Sequence, residues 1–173
     1  MTNLSLTLTS VAIAIFILVT TAWILSVILR DASIIDIVWG PGFAIGCAVA
    51  FITSGGGSRA VITLVLVSIW ATRLSLHILA RNLGKGEDPR YQTFRQRAGP
   101  TFWWRSYFTV FLLQGGLIWV ISVPLLVAQT LSATSGLSAF DILGIAVWIL
   151  GILFEAGGDW QLRRFKTDPR NHG

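Results

Sequence analysis

The chain has 173 residues, 54% of them hydrophobic, 12% charged, and a formal net charge of +5. A soluble domain of this length carries about 25% charged residues, and an amphipathic helix of such a domain shows one apolar stripe, not an apolar circumference. No charge occurs in 1–29, 37–58, 106–140 or 142–154. Stretches of about 20 apolar residues match the hydrocarbon thickness of a bilayer. The sequence therefore excludes a soluble domain and predicts an all-α, polytopic membrane helix bundle.

Five spans are predicted: 5–29, 35–53, 60–81, 105–129 and 139–162, together forming a single transmembrane domain over 1–173. Helices are expected because backbone amides in lipid must be satisfied within their own segment. The first span lacks the basic n-region and short apolar run of a cleavable signal peptide. Arg30-Asp31-Ala32-Ser33 reads as a tight turn and Ser54-Gly55-Gly56-Gly57-Ser58 as a flexible connector. Residues 82–100 read as the one long polar loop. Ser138-Ala-Phe-Asp141 resembles a capping box opening the fifth span. Pro41 and Pro124 fall inside apolar spans, and Gly42 and Gly46 suit close helix packing.

Eleven basic residues fall on one side of this topology: Arg30, Arg81, Lys85, Arg90, Arg95, Arg97, Arg105, Arg163, Arg164, Lys166 and Arg170. The other side has Arg59 alone, and Arg73 lies within a span. The positive-inside rule places the basic side in the cytoplasm. The amino terminus is then non-cytoplasmic and the carboxyl terminus cytoplasmic, in a bacterial plasma membrane or an endoplasmic reticulum. Trp103, Trp104 and Trp160 fall near the expected interfaces, where indoles settle. The basic residues flank apolar segments, so the positive charge points to lipid and topology and not to nucleic acid. A single cysteine, Cys47, excludes an internal disulfide, and no metal-ligand spacing exists.

Ionisable groups inside spans usually face protein or a wet cavity. Asp36 opens the second span, either as an interfacial carboxylate suited to a helix amino terminus or as a proton-handling group at the mouth of a pocket. Trp70, Arg73, His77 and Arg81 recur at three- and four-residue steps and share a helix face. Arg73 lies about 12 Å deeper than Arg81 along that helix. Glu155, Asp159, Arg163 and Lys166 form a second stripe, either a charge ladder or a face that takes ribose hydroxyls and phosphates. The glycines and cations of 82–91 resemble a phosphate loop in composition, but no Walker spacing is present.

The run from Thr72-Arg73 through His77, Arg81-Asn82-Leu-Gly84-Lys85-Gly86-Glu87-Asp88-Pro89-Arg90-Tyr91 resembles the membrane family known as domain of unknown function 1295. So do Phe102-Trp103-Trp104-Arg105-Ser106, Val110-Phe-Leu-Leu-Gln114-Gly115, Phe154-Glu155-Ala-Gly-Gly-Asp159-Trp-Gln161, and Phe165-Lys166-Thr-Asp168-Pro169-Arg-Asn171. That family is similar to the steroid 5-alpha-reductases. The resemblance implies an NADPH-dependent reductase of a lipid-soluble enone, acting on a lipophilic substrate that enters from the bilayer. It likens Asp36 to the catalytic carboxylate, Arg73 and Arg81 to a polar wall, and Glu155, Asp159 and Lys166, with Asn171 just beyond, to a cofactor-facing stripe; joined to the residue reading, this makes Asp36, Arg73 and His77 the catalytic candidates and Arg81, Glu155, Asp159, Arg163, Lys166 and Asn171 the cofactor-binding ones, with no metal. Trp70 stands where those reductases place an acid-donating tyrosine, so the donor is expected to be Asp36, His77 or water. The chain ends before the family's later motifs and reads as an incomplete version of a larger reductase-type bundle. Two alternatives stand beside this one: an S-adenosylmethionine-dependent methyltransferase of isoprenylcysteine, which shares the wider fold, and a non-catalytic membrane fragment.

Overall fold

A computed structural model of the chain describes residues 4–131 and 136–168. It contains α1 (Leu4–Leu29), α2 (Ile34–Ser54), α3 (Ser58–Asn82), α4 (Pro89–Ala98), a 3₁₀ turn (Gly99–Thr101), α5 (Phe102–Ser106), a π-helical segment (Tyr107–Leu112), α6 (Leu113–Leu131) and α7 (Ala139–Thr167). The described residues form no strand. Five helical stretches are long and apolar enough to cross a bilayer: α1, α2, α3, the continuous run Pro89–Leu131, and α7. Each expected segment falls on one of these helical stretches, the fourth and fifth of which run longer than the segments read from the sequence.

The helices fall into two compact units, Met1–Ser135 and Gly136–Gly173. In the first, α2 is central and packs against α1, α3 and α6. The seam of α1 is a single stripe, Thr7, Val11, Ile15, Val19, Ala22 and Ser26, at steps of three and four residues. Such steps keep side chains on one face of an α-helix. The α6 seam repeats the pattern with Gly115, Ile118, Ser122, Leu126 and Gln129. Most of the remaining surface of these helices is apolar and exposed, including Ile13, Ile17, Ile28 and Ile121. In a bilayer that surface meets acyl chains at no hydrophobic cost, so association rests on close packing.

Glycine makes that packing possible. A Cβ on Gly40 would sit 2.5 Å from the Ala71 carbonyl oxygen and 2.9 Å from Ser75 Oγ, so α2 and α3 touch backbone to backbone there. Gly42 admits Ile118 of α6, and Gly46 faces Val11 of α1. The α2–α3 turn uses Gly55, Gly56 and Gly57, all at positive φ. Pro41 and Pro124 lie inside α2 and α6, as the sequence implies.

The second unit is α7 and its amino-terminal approach. Asp141 reaches back to accept from the Ser138 backbone N–H at 2.7 Å and from its hydroxyl at 2.8 Å. This is the expected capping arrangement, worth about 1 kcal/mol to a helix start. No residue of α7 is buried.

Residues 82–100 are not a loop throughout. Asp88 caps α4, accepting from the Arg90 N–H at 3.0 Å, and Pro89 occupies the first helical turn. Aspartate at the cap followed by proline is a helix start signal, and α4 runs from it to Ala98.

Candidate functional site

The turn between α1 and α2 and the segment leading into α4 are bound together by charge. Glu87, with a side chain only 9% exposed, takes a two-pronged contact from Arg95, at 2.7 and 2.9 Å, and accepts from the Ala32 N–H at 2.8 Å. Burial works against its charge, but the Arg95 and Ala32 hydrogen bonds and the Arg95 charge outweigh it, and the carboxyl is held below its ordinary range. The Asp88 N–H donates to Ser33 Oγ at 3.1 Å. The Arg90 guanidinium hydrogen-bonded to Asp88 holds that carboxyl low as well. A segment with glycines and cations thus folds back on acceptors of its own chain, and its composition reflects docking.

This docking delivers two side chains to Asp36. Arg90 donates to Asp36 Oδ2 at 2.7 Å, and the Tyr91 hydroxyl donates to Oδ1 at 2.7 Å. Tyr91 is 4% exposed, whereas Arg90 lies largely in the open over a carboxylate that is 14% exposed. Gln114, the second residue of α6, donates from Nε2 to the Tyr91 oxygen at 3.2 Å. Its Oε1 in turn accepts from the Trp39 indole. The chain Trp39–Gln114–Tyr91–Asp36 therefore runs in one direction. Each group donates to the next, and it ends on a carboxylate held by a guanidinium. Hydrogen bonds to charged groups are worth about 1.5–3 kcal/mol each, so the phenol is strongly oriented.

The expected catalytic residues are not all gathered here. Asp36 is, as an acceptor. Arg73 and His77 are half-buried on α3. Ser75 Oγ donates to the Ile37 carbonyl at 2.9 Å, which sets His77 and Asp36 at similar depth. However, the α3 seam against α2 is Val67, Ala71 and Ser75. At about 100° per residue, Trp70 and Arg81 lie about a quarter turn from the middle of that seam, His77 about a third of a turn, and Arg73 further round. Neither Arg73 nor His77 hydrogen-bonds Asp36 among the described residues. Trp70 packs edge-on against Phe43 at 5.6 Å. Arg81 is exposed and donates to Asn82 Oδ1 at 3.2 Å.

Of the expected cofactor residues, Glu155, Asp159, Arg163 and Lys166 lie on α7 in the second unit, the two acids half-buried and the two cations exposed. Asn171 lies outside the described residues. No group of histidine, cysteine or carboxylate side chains among the described residues could hold a metal ion.

Sequence reasoning missed Tyr91 as a partner of Asp36 and Gln114 as the partner of Tyr91. Gln114 is an amide in an otherwise apolar run, a signal for an interhelical hydrogen bond. For Tyr91, the helix start at Asp88-Pro89 was the available clue.

Apolar spanning helices, glycine seams and an ionic cluster at one end define a multi-span membrane protein with a polar site at the basic end of the bundle. The chain matches the model of a family described as a protein of unknown function, DUF1295, over residues 22–173. It belongs to that family. No curated protein and no solved structure matches it.

Proposed function

We propose that the protein is a membrane-embedded, NADPH-dependent reductase of a lipid-soluble enone, similar to the steroid 5-alpha-reductases. The observation that carries this reading is the directed chain Trp39–Gln114–Tyr91–Asp36. Reducing an activated carbon–carbon double bond requires an acid to polarise the carbonyl as the β-carbon is reduced, and positioned proton donors contribute about 10²–10⁴-fold to such steps. Tyr91 supplies the phenol whose absence at Trp70 left the donor open. Asp36 and Gln114 are positioning residues: at rest one accepts the hydrogen bond of the protonated phenol and the other donates to its oxygen. In action the hydroxyl turns from Asp36 to the substrate carbonyl. Arg90 keeps the carboxylate countered while it does so.

NADPH, when bound, supplies the hydride. The donor set of α7 fits such a cofactor in kind: Glu155 and Asp159 are acceptors suited to ribose hydroxyls, and Arg163 and Lys166 are donors suited to phosphates. Under this reading the basic side faces the cytoplasm, where the cofactor is, and the enone arrives through the lipid.

The test uses purified protein in lipid nanodiscs, with NADPH consumption measured in the presence of a lipophilic enone. Tyr91→Phe is expected to lower turnover about 10²-fold or more, with NADPH affinity unchanged. Failure of the wild-type protein to bind NADPH would refute the reading. Stabilisation by S-adenosylmethionine in place of NADPH would transfer the protein to the methyltransferase class.

A further inference from the structure

A second feature of the first unit lies apart from Asp36. A cavity of about 590 Å³ opens between the carboxyl-terminal end of α1 and the α4–α5 corner, with Ser26, Val27, Arg30, Arg95, Phe102 and Trp103 in its wall. Its volume falls in the range of small-molecule sites, about 300–1,000 Å³. A smaller recess of about 240 Å³ on the other side of Phe102 is lined by Arg97 and Arg105. Four arginines thus line two openings that share Phe102, where α1 ends and the long helical run enters the apolar zone.

Their pairing is uneven. Arg95 is taken by Glu87 and stacks over Phe102 at 4.4 Å. Arg30, Arg97 and Arg105 form no ion pair among the described residues. The nearest other acid in sequence, Asp31, is engaged by the Ser33 N–H and hydroxyl. The Ser26 and Ser106 hydroxyls are spent on their own helices, so the arginines are the donors left for an incoming group. Arg30 also holds φ at 54°, in the left-handed region, which side chains other than glycine, asparagine and aspartate seldom adopt. Below the cations the wall turns apolar. Val27 and Trp103 of that wall are 40% and 56% exposed, and Ile28 and Leu29, next to Val27 on α1, are 69% and 64% exposed. Cationic donors above a lipid-facing apolar strip are the arrangement that binds anionic headgroups between membrane helices.

We propose that this cavity is a binding site for an anionic phospholipid. Its phosphate diester sits at Arg30 in the cavity, Arg97 and Arg105 of the neighbouring recess add positive charge beyond Phe102, and its acyl chains run down along Val27 and Trp103. The Trp23 indole, which donates to the Trp103 carbonyl at 2.8 Å, joins α1 to α5 beside the site. The proposal is independent of the reductase reading and is tested without any turnover.

The assay titrates full-chain protein in neutral detergent with short-chain phosphatidylglycerol, short-chain phosphatidylcholine or inorganic phosphate, and follows thermal unfolding. Saturable stabilisation by phosphatidylglycerol is expected, with weaker effects of the zwitterionic lipid and of free phosphate. Arg30→Asn combined with Arg105→Gln should weaken phosphatidylglycerol about 30-fold, given roughly one kcal/mol per basic residue near a lipid surface. Asparagine is chosen at position 30 because it accepts the left-handed backbone. Arg163→Gln with Arg164→Gln removes the same charge from α7 and should leave the affinity unchanged. Arg97→Gln, at an exposed position, provides a milder variant if the double substitution fails to fold. Equal weakening by the α7 pair would overturn the proposal in favour of diffuse charge. Free phosphate binding as tightly as the lipid would overturn it in favour of a soluble anion. Unchanged affinity in the cavity variants would overturn it outright.

Discussion

Gly40→Ala is the sharpest probe of how the bundle is held together. The added methyl would lie 2.5 Å from the Ala71 carbonyl oxygen and 2.9 Å from the Ala71 Cα, both backbone atoms that cannot rotate aside. Ordinary carbon–oxygen contacts are about 3.3–3.6 Å, so α2 and α3 must separate by nearly 1 Å at this level. That retreat stretches the 2.9 Å bond from Ser75 Oγ to the Ile37 carbonyl. Forcing extra volume into a packed seam costs about 1–3 kcal/mol, and for a chain of this size each kcal/mol moves the melting temperature about 2–4 °C. The midpoint should therefore fall by about 2–12 °C. The protein contains its own reporter, because Cys47 is the only cysteine and is fully buried. A thiol-reactive fluorophore in detergent then reads unfolding directly. Gly116→Ala is the control: no atom lies within 4 Å of its added Cβ, and helix propensity alone favours alanine by about 1 kcal/mol. If Gly40→Ala melts no lower than Gly116→Ala, the backbone-contact account of the α2–α3 seam is wrong.

Glu87→Gln should lower stability by about 1–3 kcal/mol, measured with the same fluorophore, because it weakens charged hydrogen bonds at a nearly buried acceptor. The pH dependence follows from the direction of the shift. The folded carboxyl is held below its unfolded value, so its contribution is complete above the ordinary glutamate range near about 4.3 and is lost as pH falls below it. The wild type should therefore lose more stability than Glu87→Gln between mildly and strongly acidic solution, and parallel curves would contradict this. Gln129 is fully buried, donates to the Cys47 and Ala60 carbonyls at 3.4 and 3.0 Å, and leaves its Oε1 without a partner among the described residues. Gln129→Leu removes that orphan along with the donor and should change stability by less than about 1 kcal/mol, whereas Gln129→Ala opens a cavity and should cost about 2 kcal/mol or more. A large loss in the leucine variant would show that the amide is a structural clasp.

The spanning helices were legible because the bilayer demands a long apolar run, and the length of that run is visible in one dimension. The capping of α7 by Ser138 and Asp141 was legible for the same reason, since all its parts lie within four residues. The α4 helix was not read, because it is short and polar and borrows its stability from docking, although Asp88-Pro89 marks its start. Asp36 stood out as a charge at the edge of an apolar span. Its partners, Arg90 and Tyr91, are 54 and 55 residues away in sequence, and no spacing rule reaches that far. Attention to charge also drew the eye to Arg73 and His77 and away from Gln114, a neutral amide whose two hydrogen bonds tie α2 and α4 to α6. In apolar surroundings a neutral hydrogen-bonding group can organise a site as effectively as a charge.

The π-helical segment Tyr107–Leu112 has a consequence for how this chain is compared with its relatives. A single π turn accommodates one residue more than α geometry would, and rotates everything downstream by about 100° relative to an uninterrupted α-helix. Tyr107, facing Thr20 at 3.1 Å, and Gln114, facing Tyr91, owe their separate directions to that added residue. A relative shorter by one residue here would turn the amide at the aligned position elsewhere, however closely the flanking letters agree. A one-residue gap in this stretch is therefore a difference in site architecture, and gapless alignment across it would pair positions that do not correspond.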